Sequence, residues 1–168
     1  MSPELDKKLV EKYPEIFKNR FADPSETCMC WGFSCGDGWY NIIDQLCRAI
    51  EAHQENNKKS IEWAIDFNKE LEEAKANEFQ GWADWRAKEP REVPEEIAPV
   101  VAIQVKEKYG TLRFYYSGGD DFVEGAVWLA EMMSAVTCEE CGAPASLERD
   151  QGYFQTLCDK HREEKGYY

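Results

Sequence analysis

The sequence predicts an α+β protein, with helices packed on a β-hairpin and a small hairpin module at the C-terminal end. Three observations carry this. Apolar residues recur at helical spacing in three separate segments. One segment between them alternates with period two around a tight turn. The last 30 or so residues carry two closely spaced pairs of Cys and His around a short strand-like stretch. On this reading residues 1–136 form the α+β core and residues 137–168 the appended module.

In chain order, residues 4–20 read as short helical turns interrupted at Pro14. A Cys-, Gly- and Trp-rich loop follows, "DPSETCMCWGFSCGDGWY". A helix is expected over residues 38–54, with Trp39, Ile42, Ile43, Leu46, Cys47 and Ile50 on one face and Asp37 as its N-cap. The segment "ENNKKS" reads as a break. A second helix is expected over residues 60–87, with Ile61, Ala64, Ile65, Asn68, Leu71 and Ala74 along its stripe, stopped before Pro90 and Pro94. "PVVAIQVKEKYGTLRFYYSGG" reads as a hairpin: Val101, Ile103 and Val105 alternate, as do Leu112, Phe114 and Tyr116, around the turn "KYG". A third helix begins at Asp120 or Asp121. Asp121 and Glu124 have capping-box spacing, and Phe122, Ala126, Leu129, Ala130 and Met133 form its expected buried stripe.

Composition narrows the function classes. The 168 residues are 43% apolar, enough for a packed core and too many for a disordered chain. With 20 basic against 33 acidic residues the net charge is −13, a field that repels polyanions and opposes general nucleic-acid binding. A basic protein partner, or one that ordinarily holds nucleic acid, suits that field. No stretch approaches the roughly 18 apolar residues of a membrane span, so no membrane partner is expected. The start "MSPELDKKLVEKYPEIF" has no apolar signal core. Seven cysteines, an odd number with metal-type spacing, fit a reducing cytoplasm better than a disulfide framework.

The C-terminal pairs are the most specific signal. Cys138, Cys141, Cys158 and His161 spell Cys-x2-Cys-x16-Cys-x2-His. Such a gap lets a tight turn aim two ligands at one ion, and Gly142 suits that turn. "ASLE" and "YFQTL", joined by "RDQG", bring the chain back to the first pair. The pattern resembles a treble-clef or ribbon-like zinc finger. Four good ligands leave no position open for water, so a structural Zn2+ is expected rather than a catalytic one.

Other signals admit more than one reading. Cys28, Cys30, Cys35 and Cys47 are either a second metal site or small buried residues; a reactive thiol is a third possibility. In "CWGFSCGDGWY", Trp31, Asp37 and Trp39 either flank a pocket in which an anion and a base bind, or serve as core, cap and tight turn. On the hairpin, Gln104 and Lys106 share a face, as do Arg113 and Tyr115. That is either a phosphate- and base-gripping surface or a solvated sheet face.

"CGDGW" before an apolar helix, then "VKEKYGTLRFYY", then Cys-x2-Cys and Cys-x2-His, resembles a family of small accessory proteins carried by tailed bacteriophages and prophages. The resemblance spans residues 13–161 and brings no catalytic residues with it. It implies a bacterial host cytoplasm during infection, and a protein that interferes with a host defence system. Two routes fit: binding a host defence protein through the acidic surface, or sequestering a nucleotide signal with Trp31, Trp39, Lys106, Arg113 and Tyr115. An enzyme acting on a nucleotide or nucleic acid is a third class. The oligomeric state is left open, homo-oligomers included.

Overall fold

A computed structural model describes residues 1–76, 88–150 and 152–166. The architecture is mixed α+β, with one long helix and two small sheets. By internal contact the chain divides into two units. One comprises Met1–Ile50 with Ala98–Tyr168, the other Glu51–Ile97.

The first unit opens with α1 (Pro3–Lys12), which buries Leu9. Two 3-10 turns follow, Lys18–Phe21 and Cys28–Trp31, and then the two-residue strand β1 (Phe33–Ser34). β1 pairs parallel with β2 (Val101–Lys108), and β2 pairs antiparallel with β3 (Thr111–Ser117), giving the order β1-β2-β3. Parallel pairing of so short a strand was not expected from sequence. The hairpin itself was. Its turn places Tyr109 at φ 55° and Gly110 at φ 77°, both left-handed, which suits the right-handed twist of the flanking strands.

One detail of the alternation fails. The register slips between Ala102 and Gln104, so Ile103 is an extra residue that faces outward, and the buried side chains of β2 are Val101, Ala102 and Val105. Opposite them Leu112 and Phe114 are buried. The core gathers these with Tyr13, Ile16, Phe17, Phe33 and the expected apolar face from Trp39 to Ile50. Phe17 meets Phe33 edge-on at 4.9 Å between ring centres.

α2 runs unbroken over Tyr40–Ala76, so the break expected at "ENNKKS" is absent. Nothing in that segment forbids a helix: it holds no Gly or Pro. Glu55 and Lys59 pair one turn apart at 3.1 Å, and Ser60 Oγ donates to Asn56 O at 2.8 Å. The part of the expected second helix over residues 77–87 lies outside the described residues.

In the second unit two asparagines of α2, three turns apart, strap the returning chain. The Asn57 side chain accepts from Ile97 N at 3.0 Å and donates to Glu95 O at 2.9 Å. Asn68 accepts from Arg91 N at 2.7 Å and donates to Arg91 O at 2.8 Å. The Arg91 guanidinium stacks 3.6 Å over the Trp63 ring. Ile65, expected inside, is exposed.

α3 (Asp121–Ser134) is capped by Asp120, not Asp121: the Asp120 carboxylate accepts from Val123 N at 3.2 Å. Its buried line is Val123, Val127, Ala130 and Ser134, one position off the expected stripe apart from Ala130. The cause is the free edge of β3. Ser134 Oγ accepts from Leu112 N at 2.8 Å, and Glu131 Oε1 accepts from Phe114 N at 3.1 Å. Turning Glu131 and Ser134 onto the edge amides satisfies them. The same rotation leaves Phe122, Leu129 and Met133 facing out.

After α3 the chain forms β4 (Ser146–Asp150) and β5 (Tyr153–Leu157), which pair antiparallel from Ser146↔Leu157 to Asp150↔Tyr153, and ends in α4 (Asp159–Glu164).

Candidate metal centre and its seat

The backbone from 138 to 142 folds into a knuckle. Gly142 N donates to Cys138 O at 2.8 Å and Cys138 N to Ala143 O at 2.7 Å. Gly142 adopts φ 77°, as its place after the second Cys suggests. Glu139 N then donates to Thr156 O at 2.9 Å, which ties the knuckle to β5. Cys158 opens α4 and His161 follows one turn later. The result brings one ligand atom from each of Cys138, Cys141, Cys158 and His161 within 4.8 Å of one another.

The separations fit a tetrahedral ion. Cys141 and Cys158 Sγ are 3.9 Å apart; Cys138 and Cys158 Sγ lie 3.5 Å and 3.2 Å from His161 Nδ1. Metal–sulfur bonds of about 2.3 Å and metal–nitrogen bonds of about 2.05 Å at tetrahedral angles would give roughly 3.8 Å between sulfurs and roughly 3.5 Å from sulfur to nitrogen. The group is thus suited to a structural metal such as zinc. Burial acts against a Cys138 thiolate, but amides of Cys158, Cys141 and Glu140 outweigh it and lower that thiol to about 7. His161 turns its other nitrogen, Nε2, toward Glu164 Oε2 at 3.7 Å, the outer carboxylate that often orients a ligating imidazole.

The glycine- and tryptophan-rich loop is the seat on which the knuckle rests. Gly38 N donates to Glu139 O at 2.7 Å, Gly36 N to Glu139 Oε1 at 2.9 Å, and Trp39 Nε1 to Thr137 O at 2.8 Å. A Cβ on Gly38 would lie 2.1 Å from Cys138 O and 2.4 Å from Gly142 N; one on Gly36 would lie 2.2 Å from Glu139 O. These glycines let two backbones touch. Burial raises the Glu139 carboxyl above its ordinary range.

The other expected site residues separate. Trp39 is 0% exposed and is core, so it presents no face to a ligand, whereas Trp31 is 72% exposed. Asp37 does not cap α2: it opens a 3-10 turn, Asp37–Trp39, that precedes that helix, and its carboxylate accepts from Ser2 N at 2.5 Å. Lys106 stands opposite Arg113, and Gln104 opposite Tyr115, so the hairpin cluster does share one face. Its cations are engaged there. Arg113 donates to Thr111 Oγ1 and Leu112 O and lies 3.6 Å from Glu131, while Lys106 Nζ sits 5.6 Å over the Tyr115 ring. Cys28, Cys30, Cys35 and Cys47 do not gather as a ligand set among the described residues. Cys30 Sγ lies 3.0 Å from Thr27 O, Cys47 is core, and burial pushes the Cys35 thiol up to about 12.

A groove between the first turns of α2 and the outward side of α3 was not foreseen. It encloses about 380 Å³, with Ile42, Leu46 and Ala130 at its base and Leu129 and Met133 on one wall. The signal was present in "FVEGAVWLAEMM". A helix apolar over most of its circumference needs more than one neighbour.

No described helix is long and apolar enough to cross a membrane. No family model, curated protein or solved structure matches this chain.

Proposed function

We propose that this chain is a non-enzymatic, zinc-stabilised binding protein, carried by a bacteriophage, that interferes with a host defence system by engaging a host protein through its acidic surface. One observation carries the binding reading. On α3, Trp128 is 63% exposed and Leu129 55%, beside exposed Phe122, Met132 and Met133, and the helix holds acidic residues but no Lys or Arg. Solvent-facing apolar residues in such a cluster mark an interaction surface, and Trp and Met are among the residues enriched there. The zinc holds residues 137–166 in shape. The phage setting comes from the sequence resemblance.

The test has two arms. Immobilised protein is exposed to host extract and washed across a salt series. A partner held by the acidic field should be released steeply as salt rises. In parallel, expressing the chain in a defended host should restore plaque formation. No specific capture together with unchanged plaque counts would overturn the reading.

The nucleotide route keeps one supporting observation, the shared face of Gln104, Lys106, Arg113 and Tyr115. It loses Trp39 to the core. A thermal-shift screen with cyclic nucleotides and ADP-ribose derivatives tests it: a shift abolished by Arg113→Ala/Tyr115→Ala supports sequestration, and no shift excludes those ligands.

A further inference from the structure

We infer that the groove between α2 and α3 is the docking site for a basic amphipathic helix of a partner protein. This assignment rests on the binding-protein reading and specifies its surface. The groove follows two helices. Ile42, Leu46 and Ala49 lie along α2 at steps of four and three, and Leu129 and Met133 lie one turn apart on α3. From Ile42 to Ala49 the α2 side rises seven steps of about 1.5 Å, about 10 Å in all, room for roughly two turns of a third helix. Such a helix would place two or three apolar anchors, spaced three and four apart, between the ridges of its neighbours. The unbranched side chain of Met133 adapts to an incoming anchor.

Charge selects the occupant. The start of α3 presents Asp120 and Asp121, both exposed, on a chain of net charge −13; Glu131 is turned away to the Phe114 amide and Arg113. Against them the facing stretch of α2 sets the neutral Asn41 and Gln45 and a single cation, Arg48. Lys or Arg flanking the anchors would meet complementary potential. A second copy of this chain would instead bring another net charge of −13 against α3, which has no cation to answer it. Nucleic acid and anionic lipid surfaces meet the same repulsion.

The test uses the full chain with its metal and two fluorescein-labelled Leu/Lys peptides of equal composition. In one the leucines follow helical spacing; in the other they are scrambled. Anisotropy should show binding of the patterned peptide, weakened about ten-fold or more by scrambling or by Leu129→Ser/Met133→Ser, which leaves the charge unchanged. Both residues are about half exposed, so the variant should fold; circular dichroism and metal content verify it. Gln45→Lys, at an exposed rim position, is a second variant without core cost and should weaken the patterned peptide several-fold. Equal binding of the two peptides, or affinity untouched by these variants, overturns the assignment. So does self-association of the wild-type chain that Leu129→Ser/Met133→Ser abolishes. The two readings fail separately. If Leu129→Ser/Met133→Ser still captures the host partner, the groove assignment falls and the binding reading stands. If no host partner is captured but the patterned peptide binds in the groove, the reverse holds.

Discussion

Replacing Gly38 by Ala adds one methyl group, and the structure says where it goes. It would stand 2.1 Å from Cys138 O, 2.4 Å from Gly142 N and 2.7 Å from Cys141 N. Ordinary contact begins near 3.4 Å, so the knuckle must retreat by more than an ångström. All three neighbours are backbone, and no side chain can swing aside. Gly38 does not sit at positive φ, so only space is at issue. Retreat breaks the Gly38 N–H bond to Glu139 O and the Trp39 indole bond to Thr137 O. Each is worth about 1 kcal/mol net, and forced overpacking costs about 1–3 kcal/mol more. The total of roughly 3–5 kcal/mol is a large share of a stability near 5–15 kcal/mol. With a urea m-value of about 2 kcal/mol/M, the midpoint should fall by roughly 1.5–2.5 M. Zinc transfer to a colorimetric chelator should be faster. Gly125→Ala is the control. It lies in the middle of α3 with nothing within 4 Å of a new Cβ, and should gain about 0.5–1 kcal/mol. If Gly38→Ala matches Gly125→Ala in midpoint and zinc release, the seat is not a close backbone contact and the reasoning fails.

Three further outcomes are expected. Elemental analysis should find one zinc per chain, and Cys158→Ser should lose it along with the amide-exchange protection of β4 and β5. Ser134→Ala should cost about 1–3 kcal/mol and speed exchange of the Leu112 amide, because a buried N–H loses its acceptor. Tyr13 donates to Asp44 O at 2.8 Å, and burial, reinforced by Asp44, raises its phenol from near 10 to about 12. The unfolded chain therefore releases that proton first. Its contribution is whole below pH 10 and is lost as pH rises through 12; denaturation midpoints of Tyr13→Phe should lack that slope.

What the sequence disclosed follows from the range of each interaction. The first half of α2 is legible because Trp39, Ile42, Ile43, Leu46, Cys47 and Ile50 repeat within one segment and bury as spaced. The β2–β3 turn and the four ligands are legible for the same reason: their rules are local. β1 is two residues long, and its partner Val105 lies far along the chain, so no periodicity exists to find. The α3 stripe is misread because hydropathy ranks Leu129 above Ser134, whereas the edge amides of β3 require a hydroxyl and a carboxylate. "CGDGW" is visibly special, but its glycines answer to the backbone of residues 138–142, which no local rule connects to them.

That distant contact joins the candidate metal centre to the groove. Thr137 directly precedes the first ligand, takes the Trp39 indole bond, and also lines the groove. Trp39 in turn leads into the turns of α2 that carry Ile42 and Leu46. Without an ion to bind them, three cysteines and an imidazole would repel or scatter, and the knuckle would then have no reason to hold Glu139 O and Thr137 O against the loop. The start of α2 loses two anchoring bonds while its apolar face stays in the core. The helix should persist and the groove should loosen. Metal-depleted protein should therefore keep most of its helical circular dichroism yet bind the patterned peptide several-fold more weakly, with affinity restored by zinc. Full affinity in the depleted protein would show that the surface stands without the metal, and that the seat under the knuckle serves the C-terminal module alone.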